Sequence, residues 1–407
     1  MVVANVSGGV QSEPPVRERA ARQPRVLLVS ARYFPHMGGL ETHVYEVARR
    51  LKAGGADVSV LTTDPEGRLP TRDMVDDVPI RRVRSWPADR DYYFAPGIGQ
   101  AISEIRPDLI HCQGTHTFAP PLTMLAAQRA GIPYVLSFHS GGHSSGLRNA
   151  IRGIQWQALR PLLAGARRLV AVSQFEAEHF QRQLRLPRDR FTVIPNGSQL
   201  PKPDAADRST ESGTLILSVG RLEQYKGHHR VIGALPTILR QRPDVRLRII
   251  GSGPYERELR TLAARLGVSR RVEIGSIPPS DRRGMAGALA DAALVVLLSE
   301  YEAHPISVME ALAMGRRVVV ADTSGLGEIA RKGLAHAIPL KSTASDVAAA
   351  VLSQLDRTDG PPQVELPTWE QCVGRLEGLY AEVIGRDLAG RVVLPPEPDA
   401  RGRRCAS

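Results

Sequence analysis

Short apolar runs alternate with amphipathic segments along most of the chain. The run Arg25–Ser30 is nearly all aliphatic and predicts a buried strand, and after a loop Val44, Val47, Ala48 and Leu51 recur at helical spacing. Repetition of this alternation predicts a mainly parallel sheet with helices on both faces. Further strands are predicted at 57–61, 108–112, 133–138, 168–172 and 191–194, and helices at 118–130, 147–164 and 174–184.

The pattern is interrupted once and then starts again. Pro195-Asn196-Gly197 predicts a turn, and the polar segment from Gln199 to Gly213 predicts a domain boundary. Strands then follow at 214–219, 245–250, 271–274, 292–298 and 316–320, with helices at 228–240, 254–266, 281–287 and 305–314. The predicted fold is α/β, with two Rossmann-like domains facing across a cleft, and ligands are expected at the carboxyl ends of the strands. The predicted organisation is a disordered tail over 1–23, domains over 24–200 and 201–367, a final helix over 368–388 and a loose tail over 389–407.

Composition narrows the class of protein without changing this picture. The 407 residues are 42% apolar and 23% charged, which is typical of a globular protein and sufficient for two domains. The three cysteines form no CxxC pair, so we expect a reducing, cytoplasmic location. The longest apolar run, 292–298, is far shorter than the roughly 18–20 residues of a membrane span. The first residues lack the apolar core of a secretory signal.

Charge and missing motifs exclude several kinds of site. A net charge of +11 favours anionic partners such as phosphates or anionic lipid. No nucleic-acid-binding motif is present, so nucleic acid is not expected as a partner. Neither GxGxxG nor GxxxxGK[ST] occurs, which leaves dinucleotide binding and a P-loop unsupported. One DxD motif, Asp89–Asp91, follows no apolar strand, and no cluster has metal-ligand spacing, so neither a metal nor a cofactor is expected.

The segment 299–315, which follows the strand 292–298, carries the strongest candidate chemistry. Pro305 suits the first helical position, because its missing N–H would be unpaired there. The N-terminus of this helix presents backbone N–H groups that suit a phosphate. Glu302 precedes the helix and Glu310 lies in its second turn. Two carboxylates repel a phosphate unless they bind something else, such as hydroxyls. The alternative is a capped, partly buried Glu310 and a solvated Glu302.

Three more segments at strand ends carry candidate ligand-binding residues. Arg221 and Lys226 lie five residues apart around a strand–loop–helix turn and can converge on one diphosphate. Gly38 and Gly39 allow close approach of the backbone to a ligand, and His139 can donate to a sugar or phosphate oxygen. Read singly, these residues are equally consistent with surface charge, a tight turn and a structural histidine.

Taken in chain order, these segments resemble the retaining glycosyltransferases of family 4 (glycosyl transferases group 1), which have the GT-B architecture. The resemblance covers about Arg25 to Val383 and implies an acceptor-binding first domain, a nucleotide-sugar-binding second domain and a C-terminal helix that crosses back onto the first. The motifs that carry it are Pro-His-x-Gly-Gly-x-Glu at 35–41, His139, Val-Ile-Pro-Asn-Gly at 193–197, Val-Gly-Arg-Leu at 219–222, Lys-Gly at 226–227, Ile-Gly-Ser-Gly-Pro at 250–254, Glu302-x7-Glu310, Gly325-x-x-Glu328-Ile329 and the helix from Trp369 to Tyr380.

The resemblance implies transfer of a hexose, with retention and without a metal, from a nucleotide-diphosphate sugar to a hydroxyl of a saccharide, lipid-linked or small-molecule acceptor. It assigns the diphosphate to Arg221 and Lys226, sugar hydroxyls to Glu302, the ribose to Glu310 and the donor sugar to His139. Of these, Arg221, Lys226, Glu302 and His139 form the implied catalytic set. The other implied donor-binding residues are Gly38, Gly39, Ile277 with its backbone towards the base, Ala303, His304, Pro305 and Ile306.

One departure from the family concerns the donor sugar. Many relatives have Gly-Phe-Gly where this chain has Ala303-His304-Pro305, and Pro305 lacks an N–H to donate. His304 is the candidate replacement, and the identity of the donor sugar stays open. The resemblance implies no protein nucleophile, and the acceptor attacks on the face of the leaving group.

The acceptor side has fewer sequence signals. The predicted helix 147–164 carries Arg148, Arg152, Trp156 and Arg160 at intervals of four, a face that either rests on anionic lipid at the inner side of the membrane or is simply solvated. Two other functions stay open beside glycosyl transfer: a sugar-nucleotide epimerase of the same fold, and a non-catalytic scaffold that binds nucleotide sugars or membrane.

Overall fold

The computed structural model describes residues 23–36, 38–88, 92–140, 146–203, 214–278, 281–359 and 365–391, with the backbone alone for 146–154 and 386–391. The DxD motif at 89–91 and Met37 of the first loop lie outside the described residues. So do residues 1–22 of the tail predicted at 1–23 and residues 392–407 of the tail predicted at 389–407.

The first domain is built on an eight-stranded sheet. Its strand order is β3-β4-β2-β1-β5-β6-β7-β8, and β3 pairs antiparallel with β4 while the other pairings of this sheet are parallel. The order reverses between β1 and β5, where a ligand-binding crevice is expected. The strands are β1 (Arg25–Ser30), β2 (Asp57–Asp64), β3 (Arg72–Val75), β4 (Val78–Arg84), β5 (Leu109–Gln113), β6 (Tyr134–Ser137), β7 (Arg168–Ala171) and β8 (Phe191–Val193), and the helices are α1 (Gly39–Ala53), α2 (Ile98–Ile105), α3 (Ala119–Ala130), α4 (Gly146–Gly165) and α5 (Gln174–Leu184).

The second domain is a six-stranded sheet in which every described pairing is parallel. Its order, β11-β10-β9-β12-β13-β14, is that of a Rossmann sheet, with the reversal between β9 and β12. The strands are β9 (Leu215–Val219), β10 (Arg246–Ile250), β11 (Val272–Gly275), β12 (Leu294–Leu297), β13 (Arg317–Ala321) and β14 (His336–Ile338), and the helices are α6 (His228–Gln241), α7 (Glu256–Arg265), α8 (Arg282–Asp291), α9 (Ile306–Ala313), α10 (Ser324–Arg331) and α11 (Ala344–Leu355).

The last helix, α12 (Trp369–Arg391), returns to the first domain. Trp369 is fully buried and shares a hydrophobic cluster with Val44, Val47 and Leu51 of α1. Its backbone N–H donates to Gln199 Oε1 at 2.7 Å, which fixes the start of the helix beside the end of the first domain. The helix therefore crosses back as predicted, but it continues to Arg391, three residues beyond the predicted end at 388.

The apolar pattern located most of these elements because their strands are covered on both faces. Every residue of β5, β6 and β12 is buried. The sequence reasoning placed no element at α2, the β3–β4 hairpin, α10, β14 or α11, although α11 carries Val347, Val351 and Leu352 at helical spacing.

The predicted membrane-facing surface of α4 is wrong in one respect. Trp156 is 7% exposed and contacts Phe180 edge to face in the core of the first domain, with ring centroids 4.8 Å apart. Arg160 is exposed, but its Nε donates to the Leu184 carbonyl at 2.9 Å. Helix α4 therefore uses its tryptophan for internal packing. Among the described residues, none of the helices combines the length and the apolar character needed to cross a membrane.

The two domains contact each other beside the carboxyl ends of their strands. Ser140, after β6, and Tyr301, after β12, join their hydroxyl groups at 2.8 Å. Glu328 of α10 accepts a hydrogen bond from the backbone N–H of Phe175 at 2.9 Å, in the first turn of α5. A carboxylate from one domain thus lies at the N-terminus of a helix in the other, where the helix dipole favours it.

Candidate active site

The Lys226 side chain lies at the point where the strand order of the second sheet reverses. A short 3₁₀ turn over Gln224–Lys226 follows β9 and ends at Gly227, whose φ is 75°. A Cβ at Gly227 would lie 2.1 Å from the Leu298 carbonyl oxygen, so only glycine allows this turn to pack against the end of β12. The turn thereby brings the Lys226 ammonium to the residues that follow β12.

Lys226 and Glu302 form an ion pair in this position. Lys226 Nζ lies 2.5 Å from Glu302 Oε1, and the two side chains are 15% and 10% exposed. Burial lowers the pKa of Lys226, but the Glu302 carboxylate and the Tyr225 hydroxyl raise it by more, so the pKa lies above its ordinary value. Lys226 is therefore a cation throughout the neutral pH range.

Hydrogen bonds fix Glu302 at both its side chain and its backbone. Ser299 Oγ donates to Oε1 at 2.9 Å, and the Glu302 N–H donates to Ser324 Oγ at 2.9 Å. The following loop is held equally closely, because a Cβ at Gly325 would lie 2.0 Å from the Ala303 carbonyl oxygen. Glu302 is thus a buried, oriented carboxylate, which contradicts the alternative that it is solvated.

Arg221 has a more open environment than Lys226. Its side chain is 49% exposed, and Nη2 lies 2.9 Å from Glu223 Oε1. It lies near enough to Lys226 to lower the pKa of that ammonium, and near enough to Glu41 of the first domain to lower the pKa of its carboxyl. The two cations named from the sequence therefore share one electrostatic environment, with Arg221 towards solvent and Lys226 inside.

The helix α9 begins directly after this ion pair. Pro305 is its N-cap and not its first helical residue as predicted. Val308 and Met309 donate to the Pro305 carbonyl at 3.2 and 3.1 Å, so the N–H groups of Ile306 and Ser307 come before the first hydrogen bonds of the helix. These N–H groups lie at the positive end of the helix dipole, where an anion is favoured.

Glu310 lies one turn further along α9 and is only 3% exposed. Its Oε1 is in an ion pair with Nη2 of Arg282, the first residue of α8. Burial raises the pKa of Glu310, and Arg282 opposes this effect. Arg282 was missed by the sequence reasoning, which considered Glu310 only with respect to a ligand. Ile277 follows β11 and packs against the hydrophobic cluster beneath α9.

The first domain contributes the N-terminus of α1. Gly38 is the N-cap and Gly39 the first residue of this helix. A Cβ at Gly38 would lie 2.8 Å from Glu41 Oε2, so the Glu41 carboxylate lies over the start of α1. Burial raises the pKa of Glu41, while Arg32 and Arg221 lower it.

Two histidine rings of the first domain and Asn196 lead to the backbone of His304 in the second domain. His139 has a φ of 45°, its Nε2 lies 2.8 Å from Gln113 Oε1, and its ring centroid is 4.4 Å from that of His43. His43 Nδ1 lies 2.8 Å from Asn196 Oδ1, and Asn196 Nδ2 donates to the His304 carbonyl at 3.5 Å. The sequence reasoning missed His43 because the residue lies on the apolar face of α1. At that position nothing in the sequence distinguishes a site histidine from a core residue.

Burial keeps these rings neutral near pH 7. It lowers the pKa of His43 and of His304 to about 4, and together with neighbouring histidines it lowers the pKa of His139 well below its ordinary value. Neutral imidazoles can orient hydroxyl groups by hydrogen bonds, but near pH 7 they lack the second proton that would make them general acids. In the described part of the chain, no three His, Cys, Asp or Glu side chains come together as a metal site.

The arrangement agrees with comparisons to known proteins. A family model for Glycosyltransferase Family 4 matches residues 37–200, and one for glycosyl transferases group 1 matches residues 204–359. The chain belongs to these glycosyltransferases. A GDP-mannose:cellobiosyl-diphosphopolyprenol alpha-mannosyltransferase of Xanthomonas oryzae is 28% identical to this glycosyltransferase over 380 residues, which cover 89% of this chain and 97% of the relative.

Solved structures confirm the GT-B fold of this glycosyltransferase. Sucrose-phosphate synthase of Thermosynechococcus elongatus superposes with a TM-score of 0.72 at 18% identity, covering 90% of this chain and 100% of that one. HepE of Anabaena in complex with UDP-glucose superposes with a TM-score of 0.68 at 19% identity, covering 90% and 100%. The comparisons favour neither the epimerase nor the scaffold.

Proposed function

We propose that this glycosyltransferase moves a hexose from a nucleoside-diphosphate sugar to a hydroxyl group, with retention of anomeric configuration and without a metal. The observation that carries the proposal is the buried Lys226–Glu302 pair at the N-terminus of α9, where the strand order of the second sheet reverses. Such crevices at the carboxyl ends of parallel strands are where open α/β sheets bind nucleotides.

The diphosphate is assigned to three sources of positive charge. Lys226 uses one of its three N–H donors on Glu302 and has two for phosphate oxygens. Arg221 supplies a guanidinium fork from the solvent side, and the N–H groups of Ile306 and Ser307 supply the helix terminus. These groups stabilise the negative charge that develops on the leaving diphosphate, and each donor is worth about 3–4 kcal/mol by analogy with oxyanion sites. A divalent cation is not needed for this role.

The hydroxyl groups of the donor are assigned to the two buried glutamates. Glu302 receives its hydrogen bonds from Lys226 and Ser299 on Oε1, so we assign Oε2 to the sugar hydroxyls, and Glu310 to those of the ribose. His139 and the segment Ala303–Ile306 line the sugar, and the backbone of Ile277 lies towards the base. Gly38 and Gly39 contact the diphosphate or the acceptor.

Retention in this proposal requires no protein nucleophile. The carboxylate of Glu302 is already held by Lys226 and Ser299, and the pKa of about 4 makes His43 and His304 weak bases, so we assign no side chain as the nucleophile. The acceptor hydroxyl therefore attacks on the face from which the diphosphate leaves, and the departing phosphate oxygen takes its proton. The product anomer, read by NMR coupling constants, tests this step, and inversion would refute it.

Donor base and acceptor are the two open parts of the proposal. The Xanthomonas relative is named for GDP-mannose and a polyprenol-linked saccharide, while the HepE structure holds UDP-glucose. We propose a saccharide or lipid-linked saccharide as acceptor. A thermal-shift screen with UDP, GDP and ADP identifies the base, and mass spectrometry of products formed from the matching nucleotide sugar identifies the acceptor. Stabilisation by none of the three nucleotides would refute donor binding.

A further inference from the structure

Arg282 is held over Glu310 by the start of α8. Asp281, the N-cap of this helix, accepts a hydrogen bond from the Gly284 N–H at 2.7 Å, which fixes the first turn. Residues of α8 and α9 share one hydrophobic cluster beneath the pair, including Leu289 and Met309. The Arg282 guanidinium is 20% exposed and the Glu310 carboxylate 3% exposed.

The position of Arg282 does not serve the stability of its own helix. A cation at a helix N-terminus opposes the helix dipole, and an acidic residue there would be favourable by about 0.3–1 kcal/mol. Arg282 is nevertheless the first residue of α8 and directs its guanidinium to a carboxylate on a neighbouring helix. The contact therefore serves Glu310.

Glu310 needs such a partner to stay ionised. Desolvation favours the neutral form of a buried carboxyl group, whereas a guanidinium keeps its charge at any pH a protein tolerates. Among the residues that the structure describes, Arg282 and Glu46 are the charged groups that act on Glu310. Arg282 on α8 lowers its pKa, and Glu46 on α1 of the first domain raises it. Glu46 is itself paired with Arg49 and Arg50 of α1.

We propose that Arg282 is a positioning residue for the nucleotide: it keeps Glu310 ionised and oriented so that the carboxylate accepts hydrogen bonds from the ribose hydroxyls. This inference rests on the ribose role proposed for Glu310. An ionised carboxylate accepts two hydroxyl protons, whereas a protonated one uses one oxygen as a donor. Arg282 thus acts on donor affinity through Glu310 and without a contact of its own to the ribose.

The test measures nucleotide binding as a function of pH. The probe is the one of UDP, GDP and ADP that stabilises the wild type, with its 2′-deoxy analogue, titrated calorimetrically between pH 7 and 9.5. Over this range Lys226 stays protonated, because its pKa lies above the ordinary value. Arg282→Met should weaken binding of the ribonucleotide about tenfold at pH 7, equivalent to about 1.4 kcal/mol. The loss should shrink as pH rises, because Glu310 then ionises without its partner.

Matched variants separate this role from a structural one. Arg282→Lys keeps the charge and should restore a flat pH profile. Arg283→Met removes the next, exposed arginine of α8 and should bind like the wild type. The 2′-deoxy probe lacks one of the hydroxyls concerned and should lose less affinity in Arg282→Met than the ribonucleotide does. If Arg282→Met does not fold, Arg282→Gln removes the charge but keeps an N–H donor and should give the same pH dependence.

Two outcomes distinguish failure of this inference from failure of the proposed function. If Glu310→Gln binds the ribonucleotide as tightly as the wild type, the ribose assignment of Glu310 is wrong. Two results would refute the role of Arg282 while the ribose assignment stands. In the first, Glu310→Gln weakens binding of the ribonucleotide but Arg282→Met does not. In the second, Arg282→Met weakens binding of both probes equally at every pH.

Discussion

Replacing Lys226 by methionine perturbs the enzyme in two ways that must be separated. The substitution keeps the length of the side chain but removes the ammonium, which lies 2.5 Å from Glu302 Oε1. The proposed function loses a cation on the diphosphate, and the fold loses the partner of a carboxylate that is 10% exposed. A loss of activity in this variant alone would not tell the two effects apart.

The structure sets the size of each effect. Removing one partner of a buried ion pair costs about 3–5 kcal/mol, and we expect about 3 kcal/mol here because both side chains keep some solvent contact and Ser299 still donates to Glu302. Removing one preorganised donor from the developing charge costs about 3–4 kcal/mol, or about 10²–10³ in kcat. The double variant Lys226→Met/Glu302→Gln has no unpaired charge, so most of the stability should return while the rate stays low.

The assay combines urea denaturation with the initial rate of nucleoside diphosphate release. Arg68→Met is the control, because Arg68 pairs with Glu66 at 3.5 Å but is 82% exposed. A surface pair of this kind contributes about 0–1 kcal/mol, and the rate should not change. Near-wild-type kcat in Lys226→Met would refute the diphosphate assignment. Stability of the double variant below that of Lys226→Met would refute the claim that the lost stability comes from the unpaired carboxylate.

Two further predictions concern the contact of the last helix with the first domain and the contact between the two domains. Gly197→Ala would place a Cβ 2.4 Å from both the backbone N and the ring Cγ of Trp369. Urea denaturation should therefore show that the free energy of unfolding falls by about 1–3 kcal/mol. In the control Gly374→Ala, in the final helix, the new Cβ meets nothing within 4 Å and should not destabilise the protein. Glu328→Gln removes the negative charge of the side chain that accepts a hydrogen bond from the Phe175 N–H across the domain boundary. The radius of gyration from small-angle X-ray scattering should therefore rise. An unchanged radius together with an unchanged KM would show that this contact does not hold the domains together.

The sheets could be predicted from the sequence because their strands are buried on both faces. The run at β12 is apolar at every position, and such a run between two amphipathic helices has few other interpretations. The β3–β4 hairpin shows the limit of this rule. Arg82 of β4 is 3% exposed, and its guanidinium bonds Asp73 of β3 at 2.7 Å and the Phe34 carbonyl at 2.9 Å. In a pattern of apolar and polar positions, a buried arginine is taken for a surface residue. The strand that contains Arg82 was therefore not predicted.

Contacts between segments that are distant in the sequence could not be predicted, for a different reason. The Trp369 N–H meets Gln199 across 170 residues, and nothing in either segment specifies the other. Trp156 shows the same limit, since its spacing with basic residues matched a membrane-facing helix while its actual neighbour is Phe180. Periodicity identifies a face of a helix, but the face that packs inward depends on what the rest of the chain places beside it.

The site shows why a motif predicts residues better than it predicts their electrostatic state. Two carboxylates beside a phosphate site are an electrostatic difficulty when only the sequence is considered. In the structure each has its own cation, since Glu302 pairs with Lys226 and Glu310 with Arg282. In the proposed function each cation offsets the repulsion between its glutamate and the phosphates, and Lys226 keeps two N–H donors for the diphosphate. Of these two cations, the motifs quoted from the sequence contain only Lys226, and Arg282 is identified by its contact with Glu310 in the structure.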